Sequence, residues 1–196
     1  LRLHGRHIGF ALPERHFSMP DILHEVKRMV SAGAKVYPLF LAAPDNDDEH
    51  FLQTRSLLEQ ITGHEMMTSS LADETGEEEV PEFDLLVIAP CTGNFLSMLL
   101  NARTTTAPIS KALRHLQNGR PVVMALVANG DSENLFQNVA QVLNLKNFYL
   151  VPFGPILKED KQVFLSRLEL LYDTILYALA RRQLRPVYLE SCWLPH

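Results

Sequence analysis

Leu85-Leu86-Val87-Ile88-Ala89 is the strongest strand pattern in the chain, and Pro90-Cys91-Thr92-Gly93-Asn94 follows it directly. A continuous apolar run with no polar alternation is the mark of a strand covered on both faces, as in parallel sheets. His7-Ile8-Gly9-Phe10-Ala11-Leu12 and Pro121 to Val127 read the same way, and Asn147 to Val151 is a shorter core strand. Lys35 to Ala42 adds a further strand, in which Pro38 removes one ladder donor and points to an edge or a bend.

Helical periodicity fills the intervals. Ser18 and Asp21 form an approximate capping box, with Pro20 tolerated in the first turn, Ile22, Leu23, Val26, Met29 and Val30 on one face, and Gly33 as the stop. Leu52, Leu58 and Ile61 support a second helix ending near Gly63. Further helices are expected from Cys91 to about Ala102, at Ser110–Gln117, from Ser132 to about Leu143, and at about Lys161–Arg181. The last rests on Phe164, Leu168, Leu171, Ile175 and Leu179, at three- to four-residue spacing. Asp73 to Glu82 carries six acidic residues and reads first as a solvated loop, second as an acidic recognition surface.

Strands alternating with helices imply an open, doubly wound, Rossmann-like parallel sheet of five to six strands in a three-layer α/β/α sandwich. The expected organisation is one α/β domain over residues 1–182 and a C-terminal tail, 183–196, whose Val187, Leu189 and Trp193 suggest docking. The 196 residues suffice for a full core. A formal charge of −5 argues against nucleic acid as a partner. No apolar run approaches the roughly 20 residues of a membrane span, and the first residues show no signal-peptide layout. Cys91 and Cys192 make no disulfide framework, so a reducing, cytoplasmic setting is expected. The eight histidines form no metal-ligand spacing.

Ligands of such sheets bind beyond the carboxyl ends of the strands. After the first strand, Pro13-Glu14-Arg15-His16-Phe17-Ser18 contains no glycine and neither a Walker nor a Gly-x-Gly-x-x-Gly pattern. His16 is either a titratable group at the mouth of the cleft or a helix-start histidine bonded to backbone. In the turn after Ala89, Pro90 and Gly93 are expected to shape a tight bend. Thr92 and Asn94 there offer a hydroxyl and an amide, for a ligand or simply as helix caps. Cys91 reads more readily as a small packed residue than as a nucleophile. Asn101 falls two turns along from Asn94 on nearly the same face. Arg103 opens a polar cluster, Arg103-Thr104-Thr105-Thr106, suited to a substrate carboxylate or to solvent. Asn129 precedes Gly130 after the strand at 121–127, and Asn138 lies inside the following helix.

In order along the chain, these segments resemble the B subunits of dipicolinate synthase, within the flavoprotein superfamily of cysteine-type decarboxylases and flavin prenyltransferases. The carriers are His16, Val87-Ile88-Ala89-Pro90-Cys91-Thr92-Gly93-Asn94, Asn101-Ala102 and Gly119-Arg120-Pro121-Val122-Val123. Lys146-Asn147, Val151-Pro152-Phe153-Gly154-Pro155 and Gln183-Leu184-Arg185-Pro186-Val187 continue the match. The resemblance implies a Rossmann-like sheet, FMN, and trimers or multiples of trimers with the site between subunits. It further implies a nicotinamide-binding A subunit as partner, a small dicarboxylate substrate, and a place in the sporulating mother cell. His16 and Asn94 match catalytic positions. Pro13, Arg15, Pro90, Thr92, Gly93 and Asn129 would hold the cofactor, while Asn101, Arg103 and Asn138 would hold substrate. Four features depart from the family pattern: Pro13 deletes a backbone donor, Glu14 places a negative charge where a flavin phosphate would sit, the Thr expected after the second strand is missing, and Phe95 stands where the decarboxylase turn has Thr. The alternatives are a non-catalytic subunit that has lost its flavin site, and an FMN-dependent decarboxylase of a cysteinyl compound.

Overall fold

The computed structural model describes residues 2–12, 20–40, 49–68, 82–101, 115, 118–129 and 134–190. Eight strands form one sheet: β1 His7–Leu12, β2 Lys35–Phe40, β3 Met67–Thr68, β4 Leu85–Thr92, β5 Val122–Asn129, β6 Phe148–Leu150, β7 Phe153–Lys158 and β8 Lys161–Ser166. The order is β3-β2-β1-β4-β5-β8-β7, with β6 also paired to β5. The first six strands pair in parallel, and only the β7–β8 hairpin runs antiparallel to its neighbours. Helices α1 Pro20–Ser31, α2 Glu49–Thr62, α3 Gly93–Asn101, α4 Leu135–Asn144 and α5 Leu171–Leu179 accompany it. This is the Rossmann-like α/β/α arrangement that the strand–helix alternation implies.

Alternation along β4 divides the core into two layers. Leu85, Val87 and Ala89 join the cluster that contains Ile22 and Val26 of α1, Leu58 of α2 and Ile175 of α5. Leu86 and Ile88 join the opposite cluster, with Leu96 and Leu99 of α3 and Val139 and Val142 of α4. A residue spacing of two sends successive side chains to opposite faces, so a run buried on both faces must be apolar throughout. Gly9 of β1 is required by packing: a Cβ there would stand 2.7 Å from the Phe83 ring.

The expected tight turn at Pro90–Gly93 is not present. β4 continues through Thr92, and its register on β5 slips between Ile88 and Cys91. Ile88 pairs with Met124 and Cys91 with Leu126, so three steps on β4 answer two on β5. One extra residue is a bulge, the setting in which a strand proline is tolerated. It also reverses the alternation: Cys91, which would have faced the α1 side with Val87 and Ala89, is buried on the α3 side with Ile88 and Met124. The helix consequently starts at Gly93 rather than Cys91.

The expected helix at Lys161–Arg181 is also overturned. Residues 161–166 form β8, a 3₁₀ turn covers Leu168–Leu170, and only Leu171–Leu179 is α-helical. Glu159 and Asp160 both take positive φ, 50° and 60°, which closes a two-residue hairpin between Lys158 and Lys161. The strand won because β5 had an edge to cover: β6 pairs only Val122–Met124, and β8 takes over at Val127–Asn129. Between the two lies the Leu126 N–H, which donates to the buried Ser166 Oγ at 2.7 Å; that hydroxyl in turn donates to Val151 O at 3.1 Å. The strand expected last, Asn147–Val151, is therefore followed by two more. Beyond α5, Gln183 meets the backbone of Leu150 through both halves of its amide, at 2.9 and 2.7 Å. The Phe153 N–H and O are bonded to Val187 O and Leu189 N–H. Both contacts cover backbone that would otherwise be an open sheet edge.

Candidate functional site

Parallel strands β1, β2, β4 and β5 all end at the same side of the sheet, and this carboxyl edge is where a ligand would meet helix N-termini and strand-end side chains. At the end of β4, Thr92 Oγ1 accepts the Phe95 N–H at 3.2 Å and so caps the first turn of α3. Gly93 and Asn94 form that first turn, with Asn94 exposed. Asn129, also exposed, closes β5. Since Thr92 pairs with Val127, Asn129 lies two residues beyond it on the neighbouring strand, and the structure brings Thr92, Gly93, Asn94 and Asn129 to one edge. Pro90 is buried inside β4 rather than presented at its end.

Asn101 closes the far end of α3. Seven residues at 1.5 Å place it about 10 Å along the axis from Asn94, farther than one small ring compound spans between two direct contacts. Its amide nitrogen also donates to Ser97 O, at 2.8 Å, and to Ser97 Oγ. Asn94, Met98 and Asn101 all lie on the outward side of α3, opposite its buried Phe95, Leu96 and Leu99. Asn138 is half-buried on α4, next to the stripe formed by Leu135, Val139 and Val142. Pro13, Arg15, His16 and Arg103 lie outside the described residues.

The hairpin adds residues that periodicity did not place here. Because Asn129 pairs with Val163, the hairpin extends past the end of β5 and carries Lys158 and Lys161 beside the same edge. Behind it Phe136 of α4 packs edge-on against Phe164 at 5.1 Å between ring centres, and Phe153 meets Tyr188 at 5.8 Å. The only cue in the sequence was Pro152–Pro155, whose prolines break a helix without specifying a hairpin.

Neutral hydroxyl and amide groups suit the carbonyl and ring-nitrogen edge of a planar heterocycle. Thr92, Asn94 and Asn129 therefore fit the ring portion of a flavin or a pyridine-type substrate, whereas no phosphate cradle is formed among the described residues. FMN, if held by these residues, would supply a two-electron acceptor. No group of three or more His, Cys, Asp or Glu suited to a metal ion occurs among the described residues. No helix among them is long and apolar enough to cross a membrane.

No protein-family model matches the chain. The B subunit of dipicolinate synthase of Bacillus subtilis (strain 168) is 30% identical over 195 residues, covering 96% of each chain. The crystal structure of the corresponding B subunit from Bacillus halodurans C superimposes with a TM-score of 0.80 at 30% identity, covering 98% of this chain and 100% of that one. The FMN-dependent cysteine decarboxylase SpaF has a TM-score of 0.58 at 17% identity, over 92% of this chain and 99% of its own, and shares the fold. Identity sustained from end to end, on a shared architecture that includes the sheet and its carboxyl edge, places this chain in the family of dipicolinate synthase B subunits.

Proposed function

We propose that the protein is the B component of a two-subunit oxidoreductase that converts dihydrodipicolinate to dipicolinate. The observation that carries the reading is the end-to-end match to the dipicolinate synthase B subunit, 30% identical over 96% of both chains. In this reading the partner A subunit supplies an oxidised nicotinamide in the cytoplasm of a sporulating cell. A ring C–H bond breaks with its electron pair moving as hydride to the nicotinamide, and a neighbouring ring proton passes to His16, leaving the aromatic dicarboxylate. Asn94 and Asn129 orient the ring by its polar edge. Arg15 or Arg103 pairs with a carboxylate, a geometry to which a guanidinium is matched. Pro13, Thr92 and Gly93 shape the floor beneath the ring, Pro90 acts from inside β4 by setting the bulge that leads to Thr92, and Asn138 borders the ring from α4.

The exposed Asn94–Met98–Asn101 side of α3 supports an assembly of trimers or their multiples, in which a neighbouring protomer closes the site and Asn101 serves across the interface. A second reading, a non-catalytic subunit, draws on Asn101 being bonded to its own helix and on Pro13 and Glu14 in the first loop.

The test mixes this chain with the A subunit, a nicotinamide cofactor and dihydrodipicolinate, and follows the ultraviolet absorbance of the product. Full activity requires both chains, and His16→Ala lowers the rate by about 10²-fold or more. A full rate from the A subunit alone overturns the catalytic reading and leaves the non-catalytic one. A visible spectrum after FMN addition, with or without bound flavin, settles the cofactor separately.

A further inference from the structure

At the opposite, amino edge of the sheet lies a cleft of about 300 Å³ lined by Arg6, Asp84, Arg120, Pro121, Leu179 and Arg181. Three guanidinium groups face one carboxylate there, in a chain whose formal net charge is −5. We propose that this cleft is a binding site for a small dianion, a phosphate or a dicarboxylate, distinct from the carboxyl-edge site.

The arginines are held in place chiefly by groups that do not spend their charge. Arg181 Nη1 donates to Gly119 O at 2.7 Å and to Asn147 Oδ1, both neutral acceptors, so its positive charge has no counter-ion among the described residues. Arg120 Nη1 donates to Phe83 O at 2.6 Å, and its Nη2 pairs with the exposed Glu82. Arg6 Nη1 meets Asp84 Oδ1 at 3.1 Å, while Asp84 Oδ2 accepts the His7 N–H at 2.9 Å. The lone carboxylate of the cleft is therefore engaged on both oxygens. Nε and Nη2 of Arg6 and of Arg181 make no hydrogen bond among the described residues. Two such pairs offer the planar, two-donor fork that matches a carboxylate or phosphate.

The backbone gives an independent reason to regard Arg181 as placed for its side chain. It sits just beyond α5 at φ 60°, in the left-handed position that helix ends reserve for glycine. An arginine there accepts a conformational cost that glycine would not. Leu179 and Pro121 line the wall between the charges, and such an apolar wall strengthens a charge-assisted hydrogen bond beside it by limiting water.

The test is calorimetric titration of the intact chain with inorganic phosphate and, separately, with succinate, in a buffer free of other multivalent anions and at fixed low ionic strength. Saturable binding of at least one anion is expected, weakening as salt is raised. Arg6→Gln and Arg181→Gly should each raise Kd about tenfold or more, and Lys27→Gln, at an exposed position of α1 outside the cleft, should leave this binding unchanged. Arg181→Gly suits the left-handed backbone, and its thermal midpoint reports whether the fold is retained; Arg6→Gln, at an exposed position, decides the matter should it fall. Preference between the two anions identifies the chemistry. No saturable binding of either, or equal affinity in both variants, overturns the proposal.

Discussion

The two edges of one sheet are built from opposite chemistry. At the carboxyl edge the residues that close the parallel strands β4 and β5 are neutral, Thr92, Gly93 and Asn94 after β4 and Asn129 after β5, with Lys158 and Lys161 of the hairpin set to one side. At the amino edge the strands are tied together by charge: Arg6 to Asp84 between β1 and β4, Arg120 to Phe83 O and Glu82, and Arg181 to the turns at Gly119 and Asn147. Neutral donors and acceptors suit the polar edge of a heterocyclic ring, which presents carbonyl and ring-nitrogen groups rather than full charges. Charged cross-links suit the edge that holds the strands in register. The difference teaches that one fold can separate the chemistry it hosts from the ties that assemble it, and each half of that statement can be tested.

The largest expected effect concerns the neutral edge. On the proposed function, Asn94→Ala should lower the rate of dipicolinate formation by the two-chain mixture about 10²-fold, the usual cost of removing a preorganised amide donor, with little change in thermal midpoint because the side chain is exposed. A loss of stability without loss of rate would break the comparison. Next, Ser166→Ala, lying between the edges, leaves the buried Leu126 N–H without its acceptor. It should cost about 1–3 kcal/mol in chemical denaturation and leave the rate per folded molecule unchanged.

Smaller effects belong to the amino side. Glu25 of α1 is buried, and its Oε2 accepts no hydrogen bond although Arg28 stands 3.5 Å away. Burial raises its pKa above the ordinary glutamate value, against the opposing pull of Arg28. A carboxyl whose folded pKa is raised loses stability as pH climbs from the unfolded value through the folded one. Glu25→Gln should therefore stabilise the protein at neutral pH by about 1 kcal/mol or less. The gain should vanish in denaturation measured below the ordinary glutamate pKa.

His115, hydrogen-bonded to Pro121 O at 3.1 Å beside the amino edge, has its pKa lowered, by burial first and by the Arg120 charge as well. Its neutral form is favoured on folding, so its contribution is fully present above the unfolded histidine pKa and is lost as pH falls through the lowered one. The unfolding midpoint should drop on acidification below about pH 6.5, and His115→Asn should flatten that part of the profile. A profile unchanged by the substitution would assign the slope to other histidines.

What could be read from the sequence follows from the range over which each feature is decided. The parallel strands were legible because burial on both faces demands unbroken apolar runs such as Leu85–Ala89, and α1 because Ile22, Val26 and Met29 mark one face between Pro20 and Gly33. Carboxyl-edge positions such as Thr92 and Asn94 were legible too, since a ligand edge follows from strand direction alone. The bulge at Pro90 was not, because an extra residue exists only relative to β5. Nor was the β7–β8 hairpin, where Phe164, Leu168 and Leu171 keep a helical spacing while Glu159 and Asp160 lack the usual Asn-Gly signal. By itself, then, the sequence determined the alternation of strands and helices and which residues stand at the carboxyl edge of the sheet, both consequences of local patterning. Only the tertiary structure decided that residues 161–166 form a strand, which side of the sheet Cys91 faces, and that Arg6, Arg120 and Arg181 meet in one cleft. Each of these depends on partners far along the chain, whose pairing supplies the hydrogen bonds and burial that local propensity cannot encode.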